Sequence, residues 1–246
     1  RPQASGILSI WKKPQPGHEY VGGSDTAEGM DTNRGEGKAD PDYSVTIVRD
    51  LDTGEQVARL RARLTERAFG EYNYNLCSYY NQAFLVPEIT GGHGRARLDA
   101  LLALGYPMHR IYTKRNESQI GTPRYEELGW QTNATTRPQL ISWLDTAMIQ
   151  GAIETYDPVT IQEYWDFEYN KDGQVAARRG RHDDCVIADG LSVVGIMRAP
   201  RKPKMPTEEQ ESADLARYGV SQREQAVAAV YGEEQAEWGS RFRGRM

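Results

Sequence analysis

The chain has 246 residues, of which 38% are hydrophobic and 26% charged, and this length and composition are typical of one large globular domain with appendages. Its net charge of -5 argues against a protein that coats nucleic acid through bulk electrostatics, and it has no run of ~20 apolar residues that would predict a membrane span. Cys77 and Cys185 are too few for a disulfide framework and have no metal-site spacing, which favours a reducing cytoplasm.

The first part of the chain predicts an extended segment followed by antiparallel strands. Residues 1–18 are rich in proline and have little periodicity, so we interpret them as a linker or a surface strap, with the main domain at residues 19–198. The stretch HEYVGGSD predicts a short strand that ends at Asp25, followed by a long, charged, exposed loop. YSVTIVRD and QVARLRARL flank the turn DLDTGE, which predicts a hairpin and therefore three antiparallel strands in sequence.

The middle of the chain predicts alternating helices and strands. Residues 65–80 have a helical pattern, and AFLVPE is a short apolar run typical of a buried strand that ends at Glu88. RARLDALLALGY carries a helical stripe of leucines, and MHRIYTKR predicts another strand. A strand, a helix and a strand in succession indicate parallel pairing, so the sequence predicts an α/β fold with a mixed sheet.

The last third predicts three helices, a hairpin and a tail. Thr136 and Pro138 begin a helix that ends before Gly151, and TIQEYWDFEY predicts a helix that runs into a hairpin. HDDCVIADGLSVVGI is typical of a helix buried against a sheet. After Met197 the composition changes to Pro and Lys and then to Glu and Gln, so we interpret residues 199–246 as an appendage, partly helical or flexible. The start, which lacks an initiator Met, predicts a piece of a longer polypeptide.

Carboxylates at the edges of the predicted elements are the most informative feature of the sequence. Asp25 and Glu88 each end a strand, and Asp183 with Asp184 opens the last helix. Two carboxylates ~4 Å apart repel by ~4 kcal/mol at an effective dielectric of about 20, so a converging cluster requires a neutralising cation. Oxygen ligands select Mg²⁺ or Mn²⁺, and two such ions would activate a water molecule and stabilise the leaving oxygen of a phosphodiester.

Each of these acids also has an ordinary structural interpretation. Asp25 taken alone is compatible with a solvated strand end. Glu88, between Pro87 and a glycine-rich stretch, is compatible with an exposed turn residue. Asp183 is compatible with a helix N-cap that contributes about 1 kcal/mol. Only the combination of the acids indicates chemistry.

Four stretches, in the order SDTAEG, DYSVTIV, LVPEITGGHGR and HDDCVIADGL, resemble the successive acidic motifs of the nuclease domain of large terminases of tailed bacteriophages. The resemblance covers about residues 20–197. It implies a ribonuclease H-like α/β fold, in which a central mixed sheet has three antiparallel strands followed by parallel strands and carries helices on both faces. It also implies a two-metal-ion endonuclease, with Mg²⁺ or Mn²⁺, that cleaves double-stranded viral DNA with little sequence specificity during genome packaging.

The resemblance implies roles for particular residues. Asp25, Glu88 and Asp184 would be the catalytic metal ligands. Asp183 is a further ligand candidate, because helical phase leaves open which of the two aspartates points inward. The candidates for auxiliary roles are two acids and a histidine, which would orient water or contact phosphate unless it only caps or packs: Glu28, Asp42 and His182. The candidates for contact with DNA are basic residues of the predicted hairpin and of the preceding helix: Lys171, Arg178, Arg179, Arg181 and Arg137.

The sequence departs from the terminase pattern in one respect. It contains no GxxxxGK[ST] motif, so the ATPase motor of the family is expected to be absent from this chain. The resemblance implies double-stranded DNA, the phage portal, the small terminase and the large terminase's ATPase domain as partners, in the cytoplasm of the host cell and with no membrane. The alternatives are another ribonuclease H-like nuclease, such as a Holliday-junction resolvase or an integrase, and a non-catalytic packaging or portal-binding module.

Overall fold

The protein is described here from a computed structural model, which covers residues 6–27, 42–114, 124–169 and 175–201. Most of the predicted loop after Asp25, including Glu28, lies outside the described residues, and so do Lys171 in the predicted hairpin and the appendage beyond residue 201.

A mixed sheet of five strands forms the centre of the fold. Its strands are β1 (Leu8–Ile10), β2 (Tyr20–Asp25), β3 (Ser44–Asp50), β4 (Gln56–Ala62) and β5 (Phe84–Pro87), arranged in the order β1-β4-β3-β2-β5. Strands β2, β3 and β4 are antiparallel, which confirms the predicted hairpin and the strand before it. Strand β5 corresponds to the predicted buried strand AFLVPE and runs parallel to β2, which confirms a mixed sheet.

Five helices and a small hairpin surround this sheet within the described residues. The helices are α1 (Glu66–Tyr79), α2 (Gly91–Ala103), α3 (Thr136–Ile149), α4 (Pro158–Trp165) and α5 (Asp184–Arg198). The hairpin consists of β6 (Phe167–Tyr169) and β7 (Val175–Ala177). Local sequence explains where the helices begin, because the side chain of Thr65 caps α1 and that of Asp157 caps α4. No described helix has the length and apolar character that crossing a membrane requires.

Alternate residues of β2 divide the core into two layers. Tyr20 contributes to the cluster formed with α1 and α2, which contains Phe69 and Leu101. Its neighbour Val21 contributes to the cluster on the other face, which contains Leu191 of α5. Successive side chains of a strand point to opposite faces, so the central strands are covered on both sides and must be apolar on both. Helices therefore cover both faces, as the sequence predicts.

The structure corrects the prediction for the start of the chain. Residues 8–10, within the predicted linker or surface strap, form the edge strand β1, which pairs antiparallel with β4 in the register Leu8↔Leu60. The edge of β4 offers backbone groups that need partners, and the Arg61 N–H donates to the Ile7 carbonyl over 2.8 Å. Short extended segments with one buried side chain, here Ser9, carry too little periodicity to be recognised as strands.

The predicted strand MHRIYTKR is also wrong in its extent. Met108–Arg110 form a 3-10 helix, and only Ile111 makes a parallel bridge to β5, at Leu85. Farther along β5 the pairing partner is Trp130, whose N–H donates to the Pro87 carbonyl over 2.8 Å. Two separate segments thus pair with different parts of the edge at β5. Among the described residues, these pairings are isolated parallel bridges and do not form a further strand.

Helix α5 crosses β2 in direct contact with its backbone. A Cβ atom on Gly23 would lie 2.1 Å from the carbonyl oxygen of Ala188 and 2.1 Å from the amide nitrogen of Ser192. Both of these atoms are main-chain atoms of the helix, which cannot rotate away as a side chain can. Only glycine permits this approach, and the approach brings the helix that begins with Asp184 onto the strand that ends with Asp25.

A fully buried ion pair fixes the same helix to β3. Arg49 of β3 and Asp189 of α5 are both 0% exposed, and the guanidinium donates to the two carboxylate oxygens over 2.8 and 2.7 Å. Arg49 also donates to the carbonyl groups of Gly54 and Glu154, so one side chain joins the helix to two loops. A bidentate pair of this kind allows one rotation of the helix about its axis, because both partners are rigidly oriented.

The contact at Gly23 predicts a large loss of stability on substitution. Gly23→Ala should lower the free energy of unfolding by about 3 kcal/mol or more, because two rigid backbones must separate. Gly22→Ala is the matched control, since the nearest atom to the added Cβ would be the end of the flexible Leu85 side chain, at 3.0 Å, and its other neighbours lie at ordinary contact distances of 3.7 and 3.9 Å. Urea unfolding of both variants measures the difference, and equal stabilities would contradict the tight contact.

Candidate active site

Asp25 and Glu88 meet at one end of the sheet. Strands β2 and β5 are parallel neighbours in the register Ser24↔Pro87, so the residues that follow this pair leave the sheet at the same edge. The Glu88 N–H donates to the Ser24 carbonyl over 2.8 Å, and the carboxyl groups of Asp25 and Glu88 are hydrogen-bonded to each other. The structure therefore brings together two acids that are 63 positions apart in the sequence, counting from 25 to 88.

Burial and their mutual hydrogen bond shift the pKa values of both carboxyl groups. Burial, the hydrogen bond to Glu88 and the negative charges nearby raise the pKa of Asp25 well above its ordinary value. Burial also acts to raise the pKa of Glu88, but the hydrogen bond with Asp25 and the charge of Arg97 act in the opposite direction, and that pKa is lowered. The pair is a buried concentration of carboxyl oxygens at the edge of the sheet.

Asp184 approaches the pair from α5. It is the first residue of that helix and is 6% exposed, and the Tyr43 N–H donates to its Oδ2 over 2.9 Å. Burial, together with the negative charges of Asp42 and Glu163, raises the pKa of Asp184 to about 7 against the hydrogen bond from Tyr43. Its negative charge contributes to the raised pKa of Asp25, so the three predicted ligands interact electrostatically.

Asp183 occupies the N-cap position of α5 but does not cap the helix with its side chain. Its Oδ2 instead accepts a hydrogen bond from the Arg137 guanidinium over 2.5 Å. Of the two neighbouring aspartates, Asp184 is the buried one, and Asp183 is half-buried and paired with the guanidinium of Arg137. Arg137, expected to contact DNA, lies in the first turn of α3 next to this acid.

His182 and Asp42 complete an acidic group with Asp184. The His182 Nδ1 lies 3.3 Å from an Asp42 oxygen and 3.6 Å from Asp184 Oδ2. Ligand atoms of these three residues all lie within 4.8 Å of one another, which would allow a metal ion between them. The His182 ring also packs edge-on against Tyr43, with ring centroids 5.3 Å apart. Asp25 and Glu88 do not belong to this group.

A second group of this kind among the described residues has a structural explanation. His18, Asp50 and Asp52 lie near the opposite end of β2 and β3. The Asp50 carboxylate accepts hydrogen bonds from the His18 ring and from the backbone N–H groups of Asp52 and Thr53. It therefore orders the turn between β3 and β4, and we assign it no chemical role.

Three arginines of the predicted hairpin, Arg178, Arg179 and Arg181, lie after β7 and are exposed. The Arg178 Nε donates to Glu168 over 2.8 Å, and the Arg181 Nε lies 3.7 Å from Asp166. Arg179 is exposed beside them. The Arg178–Glu168 pair is exposed on both sides and such pairs contribute little to stability, so Arg178 can exchange its partner for phosphate at little cost. The partner of Arg181, Asp166, is buried.

Two features of the site were not identified from the sequence. Arg97 of α2 lies beneath the carboxyl pair. The sequence contained a sign of it, because an arginine stands within the stripe of buried residues that includes Leu98 and Leu101. Arg61 and Arg63 lie 3.5 and 4.1 Å from the ring centroid of Tyr43, the residue that holds Asp184. This stack had no signal in the sequence, because it depends on the pairing of β3 with β4.

The donor set fits divalent metal ions that prefer oxygen ligands. The oxygens are carboxylate oxygens: Asp25 and Glu88 are hydrogen-bonded to each other, and Asp184 is held by the Tyr43 N–H and acts on Asp25 through its charge. Burial of these groups raises the pKa values of Asp25 and Asp184. A partly buried set of carboxylates favours a divalent cation that prefers oxygen ligands.

The raised pKa of Asp184 predicts how stability depends on pH without metal. The folded state binds this proton more tightly than the unfolded chain does, so the stabilisation is complete below pH 3.8 and is lost as the pH rises to about 7. In a chelating buffer the free energy of unfolding should fall over this range, by up to about 1.4 kcal/mol per pH unit from this group. Asp184→Asn should flatten the profile in urea unfolding, and identical profiles would contradict the burial of a titrating carboxyl group.

The fold is shared with phage nucleases of known structure. No protein-family model matches the chain, and no curated protein matches it. The large terminase nuclease of thermophilic phage G20c with bound magnesium is 22% identical over 78% of this chain and 89% of that chain, with a TM-score of 0.59. The same nuclease with bound cobalt gives 24% identity over the same shares and a TM-score of 0.56. The large terminase nuclease domain of Thermus phage P74-26 is 22% identical over 82% of this chain and 93% of that chain, with a TM-score of 0.56.

These similarities define the fold. The chain has the α/β fold of the nuclease domain of large terminases, with a central mixed sheet and helices on both faces. The likeness extends over most of the length of those domains, as the resemblance of the four sequence motifs predicts.

Proposed function

We propose that the chain is a metal-dependent endonuclease, the cutting domain of a phage large terminase, which cleaves double-stranded DNA during genome packaging. The observation that supports the proposal is that Asp25 and Glu88 follow paired positions of two neighbouring parallel strands, and that Asp184 begins the helix packed directly on one of these strands. The magnesium and cobalt bound in the similar phage G20c nuclease support a divalent metal at this place.

Each acid has a distinct part in this proposal. Asp25 and Glu88, which share a hydrogen bond, form one side of the metal centre, and Asp184 forms the other. Divalent metal ions held there would activate the attacking water molecule and stabilise the leaving oxygen of the phosphodiester. Asp183 is less suited to be a ligand, because Arg137 already neutralises it.

Neighbouring groups would orient the water molecule and the DNA. His182 lies between Asp42 and Asp184, so we propose an auxiliary role for His182 and Asp42, and also for Glu28. The basic residues Arg178, Arg179 and Arg181 extend from the end of β7 to the start of α5, beside the acids. We propose that they and Arg137 contact the DNA backbone, together with Lys171.

The biological setting follows from the proposed class. A cutting domain of this kind would act in the cytoplasm of the host cell with the ATPase domain of the large terminase, the small terminase and the portal. The ATP-binding motif of the motor does not occur in this sequence, and the proposal therefore assigns only cleavage to the chain.

A nicking assay tests the metal centre. Wild-type protein with Mn²⁺ should convert supercoiled plasmid to nicked and linear forms, and chelation should stop the reaction. Asp25→Asn, Glu88→Gln and Asp184→Asn should each lower the rate by about 100-fold or more, because each removes a charged ligand. Asp183→Asn should lower it less, since its carboxylate pairs with Arg137.

Asp99→Asn is the matched control, because Asp99 is an exposed carboxylate on α2 that accepts a hydrogen bond from Tyr125. It should cleave at the wild-type rate. Equal cleavage by the wild type and the three ligand variants would refute the assigned centre. Loss of cleavage in the Asp99 variant as well would indicate that the assay reports general destabilisation.

Cleavage should show little sequence preference. The residues proposed to contact DNA are arginines and a lysine suited to phosphate, and none of the described helices has the features of a recognition helix for the major groove. Sequencing the ends produced from short duplexes of varied composition should give cuts spread over many positions. One reproducible cut site across unrelated duplexes, or cleavage confined to four-way junctions, would contradict the proposal.

A further inference from the structure

Arg97 is a buried cation beneath the carboxyl groups of the candidate site. It belongs to α2 and is 1% exposed, which places its side chain among the largest fully buried ones of the described residues. Placing a guanidinium in the interior has a high cost in lost hydration unless charges and hydrogen bonds offset it. The position of Arg97 therefore requires an explanation from its surroundings.

The hydrogen bonds of Arg97 join the ends of the two strands that carry the acids. One terminal nitrogen donates to the Ser24 hydroxyl over 2.5 Å, and the other donates to the Glu88 carbonyl over 2.7 Å. Ser24 precedes Asp25, so Arg97 touches both strands at the point where their carboxyl groups leave the sheet. The Ser24 hydroxyl is also hydrogen-bonded to the Thr46 hydroxyl over 2.8 Å, and the Thr46 hydroxyl donates to the Asn73 side-chain oxygen over 2.6 Å.

The charge of Arg97 lies beside the two residues that carry these carboxyl groups. An arginine side chain stays protonated in proteins, so its contacts with Ser24 and Glu88 place a fixed positive charge at both strand ends. The aromatic ring of Phe69, 5.6 Å from the guanidinium carbon, covers it on the helix side.

We propose that Arg97 is a positioning residue that serves as a permanent internal cation, which holds Asp25 and Glu88 together when no metal is bound and limits how tightly metal binds. The inference rests on the metal centre proposed above. A fixed positive charge stabilises the empty acidic site, and it also repels an arriving divalent cation. The site would then bind its metal reversibly instead of retaining it permanently.

The proposed role and a purely structural role predict opposite changes in metal affinity when Arg97 is replaced. If Arg97 only supports the fold, its removal loosens the site and weakens metal binding. If its charge opposes the metal, removal strengthens binding. Arg97→Met keeps most of the side-chain length and removes the charge, so it should lower the Mn²⁺ concentration at half-saturation by about tenfold. Arg97→Lys keeps the charge and should stay within about twofold of wild type.

The experiment is a Mn²⁺ titration of the protein without DNA, by calorimetry and by thermal unfolding. Arg110→Met is the matched control, because Arg110 is also a buried arginine that donates to a main-chain carbonyl, that of Gln82, at the other end of β5. It should lose stability without a change in Mn²⁺ affinity. In chelator, Arg97→Met should melt below the wild type, and saturating Mn²⁺ should raise its melting temperature more than that of the wild type.

The outcomes separate the inference from the proposed function. If the wild type binds Mn²⁺ and Arg97→Met binds it equally or more weakly, the inference fails and the metal centre stands. If the wild type binds no Mn²⁺, both fail. If Arg97→Met does not fold in chelator, recovery of the fold on addition of Mn²⁺ supports the role. A chain that stays unfolded in saturating Mn²⁺, in this variant and in Arg97→Gln, overturns it.

Discussion

The direct contact of helix α5 with the backbone of β2 at Gly23 is the constraint on which the rest of the structure depends. The helix and the strand approach so closely that main-chain atoms of Ala188 and Ser192 occupy the space of a side chain. The buried pair between Arg49 and Asp189 then sets the rotation of the helix. With the depth and rotation of the helix fixed by these contacts, its first residue is placed near enough to Asp25 for its charge to act there. The position of Asp184 is thus a consequence of packing one to two turns farther along the same helix.

The chemistry of the site depends on how the fold compensates the negative charge of its carboxyl groups. Asp25 and Glu88 are hydrogen-bonded to each other, and the negative charge of Asp184 makes ionisation of Asp25 less favourable. Arg97, which donates to the Glu88 carbonyl, adds a positive charge beneath the pair. A divalent cation bound to these carboxylates would neutralise the remaining negative charge, which is the basis of the proposed metal centre.

Much of the fold could be predicted because its elements have strong local signals. The hairpin of β3 and β4 has alternating apolar residues around a turn, and α5 has a continuous apolar surface. Two predictions failed where the structure depends on distant partners. Residues 8–10 form a strand because β4 offers an open edge, and the segment after Pro107 forms no extended strand because Trp130 takes the next place along β5. Neither partner is visible in the local pattern.

The sequence by itself determined the types of residue available for chemistry, the edges of the elements on which they lie, and an order of acidic motifs that resembles one family of nucleases. These are local properties, set by the pattern of apolar residues and by turn and capping residues. Only the tertiary structure decided that Asp184 and not Asp183 is buried, that Arg137 neutralises the latter, and that Arg97 lies beneath the carboxyl pair. Those outcomes depend on the rotation of a helix and on contacts between residues far apart in the chain, and neither is encoded in the spacing of neighbouring residues.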